Sequence, residues 1–179
     1  DPATLDPKAA ISVGDPALLN PRGLTGVRLG VVRGSAGFNP DVDRVFADAL
    51  AALAKAGAFL VDPVEIPNVD ELDKPELEVL LYELKPGLAG YLATRPDLPV
   101  KTLADVIAFN VKNRDREMPY FGQELFERAQ EKGTLQDAAY IAALADCRRL
   151  SRTEGIDAAL AAHQLDALVA PTNGPAWVL

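Results

Sequence analysis

The run GVRLGVVRGSAGFNPDVDRVFADALAALAKAGAFLVDPVEI, residues 26–66, decides the fold class. Its first eight residues alternate, with Val27, Leu29 and Val31 on one side and Arg28, Gly30 and Val32 on the other, which predicts a strand of about seven residues. GSAGFNP follows as a loop. Asn39 before Pro40 is an N-cap and first-turn pair, and Val42, Val45, Phe46, Ala49, Leu50 and Leu53 recur at helical spacing up to a stop at Gly57. AFLVDPVEI then has strand character, with Pro63 placing it at a sheet edge or ending it early. Strand, helix and strand in this order imply a parallel pair joined by a right-handed crossover.

Outward from this unit, residues 1–24 carry Asp1-Pro2, Asp6-Pro7, Asp15-Pro16 and Asn20-Pro21. Each proline turns its predecessor away from the helical region, so an extended, Pro-rich arm is expected. Residues 25–179 form the second division, a partial α/β domain. Leu77, Leu80, Leu81, Leu84 and Leu88 make an apolar helical stripe that Pro86 should kink or break. TLADVIAFN predicts a short amphipathic helix capped by Thr102, and YFGQELFERAQ another helical piece. Thr134 and Asp137 have capping-box spacing at the head of a long helix on which Tyr140, Ile141, Leu144 and Cys147 share a face, with Ile156 and Leu160 extending it. LDALVA, residues 165–170, closes as a strand bounded by Pro171, Asn173, Gly174 and Pro175. Three strands are few for so many helices, since sheets usually hold about four to six, and open edges call for more chain to cover them. The expectation is a partial mixed or parallel sheet flanked by helices, part of a larger α/β protein, with self-association of the exposed faces.

Composition narrows the function classes. The chain has 179 residues, 49% of them hydrophobic, and a net charge of -8. That balance argues against a nucleic-acid partner, because lysine and arginine on phosphates supply most non-specific affinity. No apolar run approaches the roughly 18 residues of a membrane span, and no signal peptide opens the chain. A first residue of Asp1 in place of Met points to processing or truncation; localisation stays open. With Cys147 the sole cysteine and His163 the sole histidine, neither a disulfide framework nor a zinc cluster is expected. No cofactor and no metal are expected.

Several groups invite chemistry and have plainer readings. Gly34–Gly37 join a strand to a helix N-terminus, where an anion can bind, and Asp62 mimics the ribose ligand of a dinucleotide fold. The spacing Gly30, Gly34, Gly37 is not G-x-G-x-x-G, so a turn outweighs a nucleotide site. A nucleotide-binding domain using this loop stays as one alternative, and a non-catalytic interaction module as another. Ser12, Ser35 and Ser151 lie in no nucleophile elbow. His163 reads as a helix-terminal residue and Cys147 as a packed small hydrophobe. Glu76 with Glu78 and Asp70 with Glu71 read as solvated faces, while Arg148, Arg149 and Arg152 form a basic stripe expected to pair with another part of the protein.

Five stretches in order carry a resemblance: LTGVRLGVVRGSAGFNPDV, YELKPGLAGYLA, TLADVIAFN, YFGQELFERA and LDALVAPTNGPAW. Together they resemble the amidase signature family, and most of all its peptide-amidase-type bacterial members, from about residue 24 to the end. The resemblance implies hydrolysis of a carboxamide C–N bond by a nucleophilic Ser, a second Ser in a cis peptide and a Lys base, through an acyl-serine intermediate. No matching Gly/Ser-rich segment occurs here, and Lys8, Lys55, Lys74, Lys85, Lys101, Lys112 and Lys132 lack the matching context. No catalytic residue is therefore carried over. The chain resembles the C-terminal half of such an enzyme, stops before the family's final portion, and is expected to be inactive alone. Asp166 and Pro171 to Trp177 resemble the strand and loop that reach the family's substrate cleft. Thr172, Asn173 and Gly174, with Tyr120 and Gln123 behind them, are the substrate-binding candidates, and the implied partner is a small-molecule or peptide amide.

Overall fold

The computed structural model describes residues 22–172. The Pro-rich arm lies outside that range but for its last three residues, and so do Asn173 and Gly174. The chain divides into two compact units, one containing the described residues up to Ile66 and those from Asp157 onward, the other Pro67–Ile156.

The first unit is an α/β layer. Strand β1 (Arg28–Val32), helix α1 (Pro40–Lys55), strand β2 (Phe59–Val64), helix α7 (Asp157–His163) and strand β3 (Ala167–Val169) build it. The sheet order is β2-β1-β3 and both pairings are parallel. Leu29 lies opposite Leu60 and Ala167, and Gly30 opposite Val61 and Leu168, with a register shift between Gly30 and Val32 on the β2 side. As the central strand, β1 is buried from Leu29 to Val32 on both faces, so its apparent alternation does not separate a wet face from a dry one. The strand is five residues long, shorter than the sequence predicts, because Arg33–Ser35 already turn.

Helix α1 forms where the capping chemistry places it. The Asn39 Oδ1 accepts from the N–H groups of Asp41 at 3.0 Å and Val42 at 3.1 Å, and Pro40 occupies the first turn. Its buried face brings Phe46 and Leu50 onto Val31, with Ala36, Leu53, Leu60 and Val169 packed around them. Each such side chain contributes about 1.5–3 kcal/mol when fully buried. Strand β2 is an outer strand and continues one residue past Pro63, so of the two expected outcomes the edge position is the one realised.

Arg28 ties β1 to the chain entering β3. Its N–H donates to Asp166 Oδ2 at 2.8 Å, its Nε to the Gln164 carbonyl at 2.9 Å and its Nη2 to the His163 carbonyl at 3.1 Å, while Asp166 N–H returns a bond to the Arg28 carbonyl at 2.9 Å. The last carbonyls of α7 thereby meet a cation, as the helix dipole favours.

The second unit is helical: α2 (Asp73–Ala93), α3 (Leu103–Lys112), α4 (Arg114–Glu117), α5 (Glu124–Glu131) and α6 (Ala138–Arg148), followed by wide π-type turns over Arg149–Ile156. Leu81, Leu103 and Ala129 form its core, with Leu77, Leu84, Leu88, Ile107 and Phe126 against them. The expected break at Pro86 does not occur, and α2 runs through it. Only one backbone donor is lost there, whereas Leu81 and Tyr82 before the proline and Leu92 after it are buried. Thr102 forms a complete capping box with Asp105 at the head of α3.

Two helical expectations are corrected. Thr134 Oγ1 bonds the Asp137 carboxylate within a turn, and α6 begins only at Ala138 with no side-chain cap. The long helix ends at Gly155, whose φ of -111° and ψ of -106° are non-helical. The buried stripe runs through Tyr140, Ala143 and Leu150, leaving Ile141 and Ile156 exposed. Polar bridges fix α2 against the chain around α5 and α6. Lys132 Nζ meets both Glu78 oxygens at 2.6 and 2.7 Å, Lys85 Nζ reaches the Gln130 carbonyl at 3.3 Å near the end of α5, and Tyr140 donates to Glu83 at 2.7 Å. Arg149 pairs with Asp146 and Glu154 on its own stretch of chain, not with a distant segment as expected of the basic stripe.

Candidate functional site

The topology of the first unit singles out one crevice. From β1 the chain passes through α1 to β2 on one side, while β3 arrives from α7 on the other, so the order reverses between β1 and β3. Open α/β sheets accept ligands beyond the carboxyl ends of their strands at such a reversal. There a cleft of about 510 Å³ lies between Ala170, Pro171 and Thr172 after β3 and Asn39, Asp41, Val42, Val45, Phe46 and Ala49 of α1 with its cap. Of the sequence-derived candidates, Thr172 sits at this cleft and is exposed.

The α1 face of the cleft escaped the sequence reading. Val45 and Ala49 share the helical spacing of the core residues, yet Val45 is 60% exposed while Phe46 beside it is 8% exposed. The apolar stripe on α1 is wider than the core needs, and that excess width was the available signal.

The glycine loop at the head of α1 is a turn. Gly37 has φ +91°, in the region that favours glycine, and its N–H donates to Asp43 Oδ1 at 2.8 Å. A carboxylate of the protein itself thus takes the donor that a phosphate would need. Asp62 receives two hydrogen bonds from Arg33, one of them from Nε at 2.8 Å. Those bonds, with the charge behind them, hold the Asp62 carboxyl below the usual carboxylate range, and they occupy the group that would have mimicked a ribose ligand.

In the second unit, Tyr120 is 85% exposed and Phe121 is 65% exposed. Gln123 is tied down at both ends of its amide: Oε1 accepts from Asn110 Nδ2 at 3.1 Å and Nε2 donates to the Ile107 carbonyl at 3.4 Å. Gln123 therefore anchors the Tyr120 loop to α3. His163 is exposed at the end of α7, where its carbonyl receives Arg28. Cys147 is half-buried, and desolvation, reinforced by Glu76 and Asp146, pushes its thiol up and away from a reactive thiolate. Among the described residues no group of three or more His, Cys, Asp or Glu could hold a metal ion, and no helix is long and apolar enough to cross a membrane.

Comparison with known proteins places this arrangement. The family model described as Amidase matches residues 4–179. A probable amidase of Arabidopsis thaliana is 31% identical over 156 residues, covering 84% of this chain and 29% of the plant protein. Among solved structures, native peptide amidase from Stenotrophomonas maltophilia is 45% identical with a TM-score of 0.82, covering 99% of this chain and 36% of that one. A peptide amidase in complex with the competitive inhibitor chymostatin is similar to the same degree, and an amidase family protein from Bacillus anthracis is 27% identical with a TM-score of 0.63 over 83% of this chain.

A parallel α/β sheet flanked by helices, with a cleft at its strand ends, defines the class. The chain belongs to the amidase family, and it spans about a third of the length of the solved peptide amidases it matches.

Proposed function

We propose that this chain is the C-terminal part of a longer serine-dependent amidase that hydrolyses a carboxamide C–N bond, with the C-terminal amide of a peptide as the favoured substrate. The observation that carries the reading is the 45% identity to peptide amidase across nearly the whole chain. In this reading the nucleophile, its base and the oxyanion donors belong to the remainder of the enzyme. Attack on the amide carbon gives an acyl-serine, the leaving amine takes a proton, and water releases the acid. This chain contributes substrate contacts at Thr172, Asn173 and Gly174 and, from its helical unit, at Tyr120, whose loop Gln123 holds.

Ammonia release from an amidated peptide tests the proposal in two samples. The full-length protein should release ammonia, and the purified chain alone should match buffer, because the main catalytic groups are lost together. A silent full-length protein, or an active isolated chain, would sink it.

Self-association of the isolated chain is part of the same proposal. Leu80, Tyr91 and Leu125 are each more than half exposed and line one apolar groove along α2 and α5, the kind of contiguous patch that marks an interaction surface.

A further inference from the structure

We propose that the α1 wall of the cleft is a side-chain pocket selecting amides with a branched aliphatic or aromatic substituent, a specificity that rests on the amidase reading above. The location is the reversal point of the sheet, and about 510 Å³ lies within the usual range of small-ligand sites. Phe46 forms its floor, Val42, Val45 and Ala49 one side, and Ala170 and Pro171 the other. The packing of α1 on the sheet does not require Val45: the core closes through Phe46, Leu50 and Val31 without it, and it stands in the open beside the cleft.

The polar groups restrict the ligand further. Asn39 Oδ1 already accepts two backbone N–H groups, so the polar members of the lining are the Asn39 Nδ2 donors, Asp41 and Thr172. Thr172 can hydrogen-bond the amide end of a substrate whose apolar group lies along α1. The Asp41 carboxylate, whose nearest cation is Arg44 at 3.6 Å, repels an acidic substituent. The substrate class is therefore a neutral amide with an apolar side chain.

The test compares kcat/KM of the full-length enzyme on N-acetylglycinamide, N-acetylleucinamide, N-acetylphenylalaninamide and N-acetylglutamic acid amide. The leucine and phenylalanine amides should exceed the glycine amide by about tenfold or more, the scale of discrimination a hydrophobic pocket supplies, and the glutamic acid amide should be poorest. Val45→Asp and Ala49→Trp, both at exposed positions, should each lower kcat/KM on the leucine and phenylalanine amides about tenfold more than on the glycine amide, with thermal midpoints retained. Equal rates on all four amides in the wild type would overturn the pocket. So would variants that lower every rate equally or lower the thermal midpoint without changing selectivity, the result expected if the rest of the parent fills the cleft. Absence of hydrolysis of any amide would instead overturn the amidase reading, and the proposal with it.

Discussion

At the scale of single residues, Gly30 carries the tightest constraint in the sheet. A Cβ there would stand 2.5 Å from Leu165 Cδ1 and 2.8 Å from Leu168 Cδ2, so Gly30→Ala forces both leucines away from the central strand. Overpacking of this kind costs about 1–3 kcal/mol, and a lower urea midpoint with unchanged slope is expected. A wild-type midpoint would mean that the leucines move freely. The Arg33–Asp62 pair predicts a pH signature. Because Asp62 is held below its ordinary value by Arg33, its contribution is present above the unfolded carboxyl value of about 4 and is lost as pH falls through the lower folded value. Both partners are partly solvated, so Asp62→Asn should cost less than about 1 kcal/mol at pH 7. The gap to wild type should narrow as pH falls below about 4 in denaturant titrations; a constant gap would assign the effect to something other than charge. The sequence offered Asp62 as an acid closing the second strand and mimicking a ribose ligand. Its partner emerged when parallel pairing brought the ends of β1 and β2 together.

Among the elements, those with a local cause were legible and those depending on distant packing were not. Asn39 with Pro40 and Thr102 with Asp105 start helices within a few residues of themselves, so the sequence suffices. Of the kink or break expected at Pro86, the break is not realised, because the buried Leu81, Tyr82 and Leu92 hold α2 on both sides of the proline. Proline in a helix interior is less favourable than alanine by about 3 kcal/mol. Pro86→Ala should therefore raise the stability of the helical unit by about 1–3 kcal/mol, the lower figure applying if the unfolded chain gains freedom as well. Hydrogen exchange of α2 amides is the measurement, and unchanged protection would show that the helix has already relieved the strain. The Thr134–Asp137 spacing failed as a capping box for the opposite reason: Thr134 bonds the Asp137 side chain, which confines the pair to a turn.

For the molecule as a whole, the three-stranded sheet leaves one edge of β2 and one of β3 without a partner strand among the described residues. Phe59 on β2 is 57% exposed, and strand edges of this kind recruit further chain. Light scattering of the isolated chain should report dimers or larger species, with exposed aromatic residues driving association. A clean monomer across the micromolar range would count against it. Of the candidate site, Thr172 came forward through the resemblance of LDALVAPTNGPAW to the strand and loop at the family's substrate cleft, whereas Val42, Val45 and Ala49 were hidden inside a stripe that reads as core. A helical period reports that a face is apolar, but not whether sheet or solvent meets it.

The sequence by itself determined the β-α-β order, the helix starts, the terminal strand and the amidase resemblance, because each is written in neighbouring residues or in an ordered set of local stretches. Tertiary structure alone decided that β1 lies between β2 and β3, that Arg28 clasps Asp166 across 138 positions, and that α1 faces Thr172 over a cleft. Those facts depend on which distant segments share a sheet. The pairing energy that selects them resides in contacts between residues far apart along the chain.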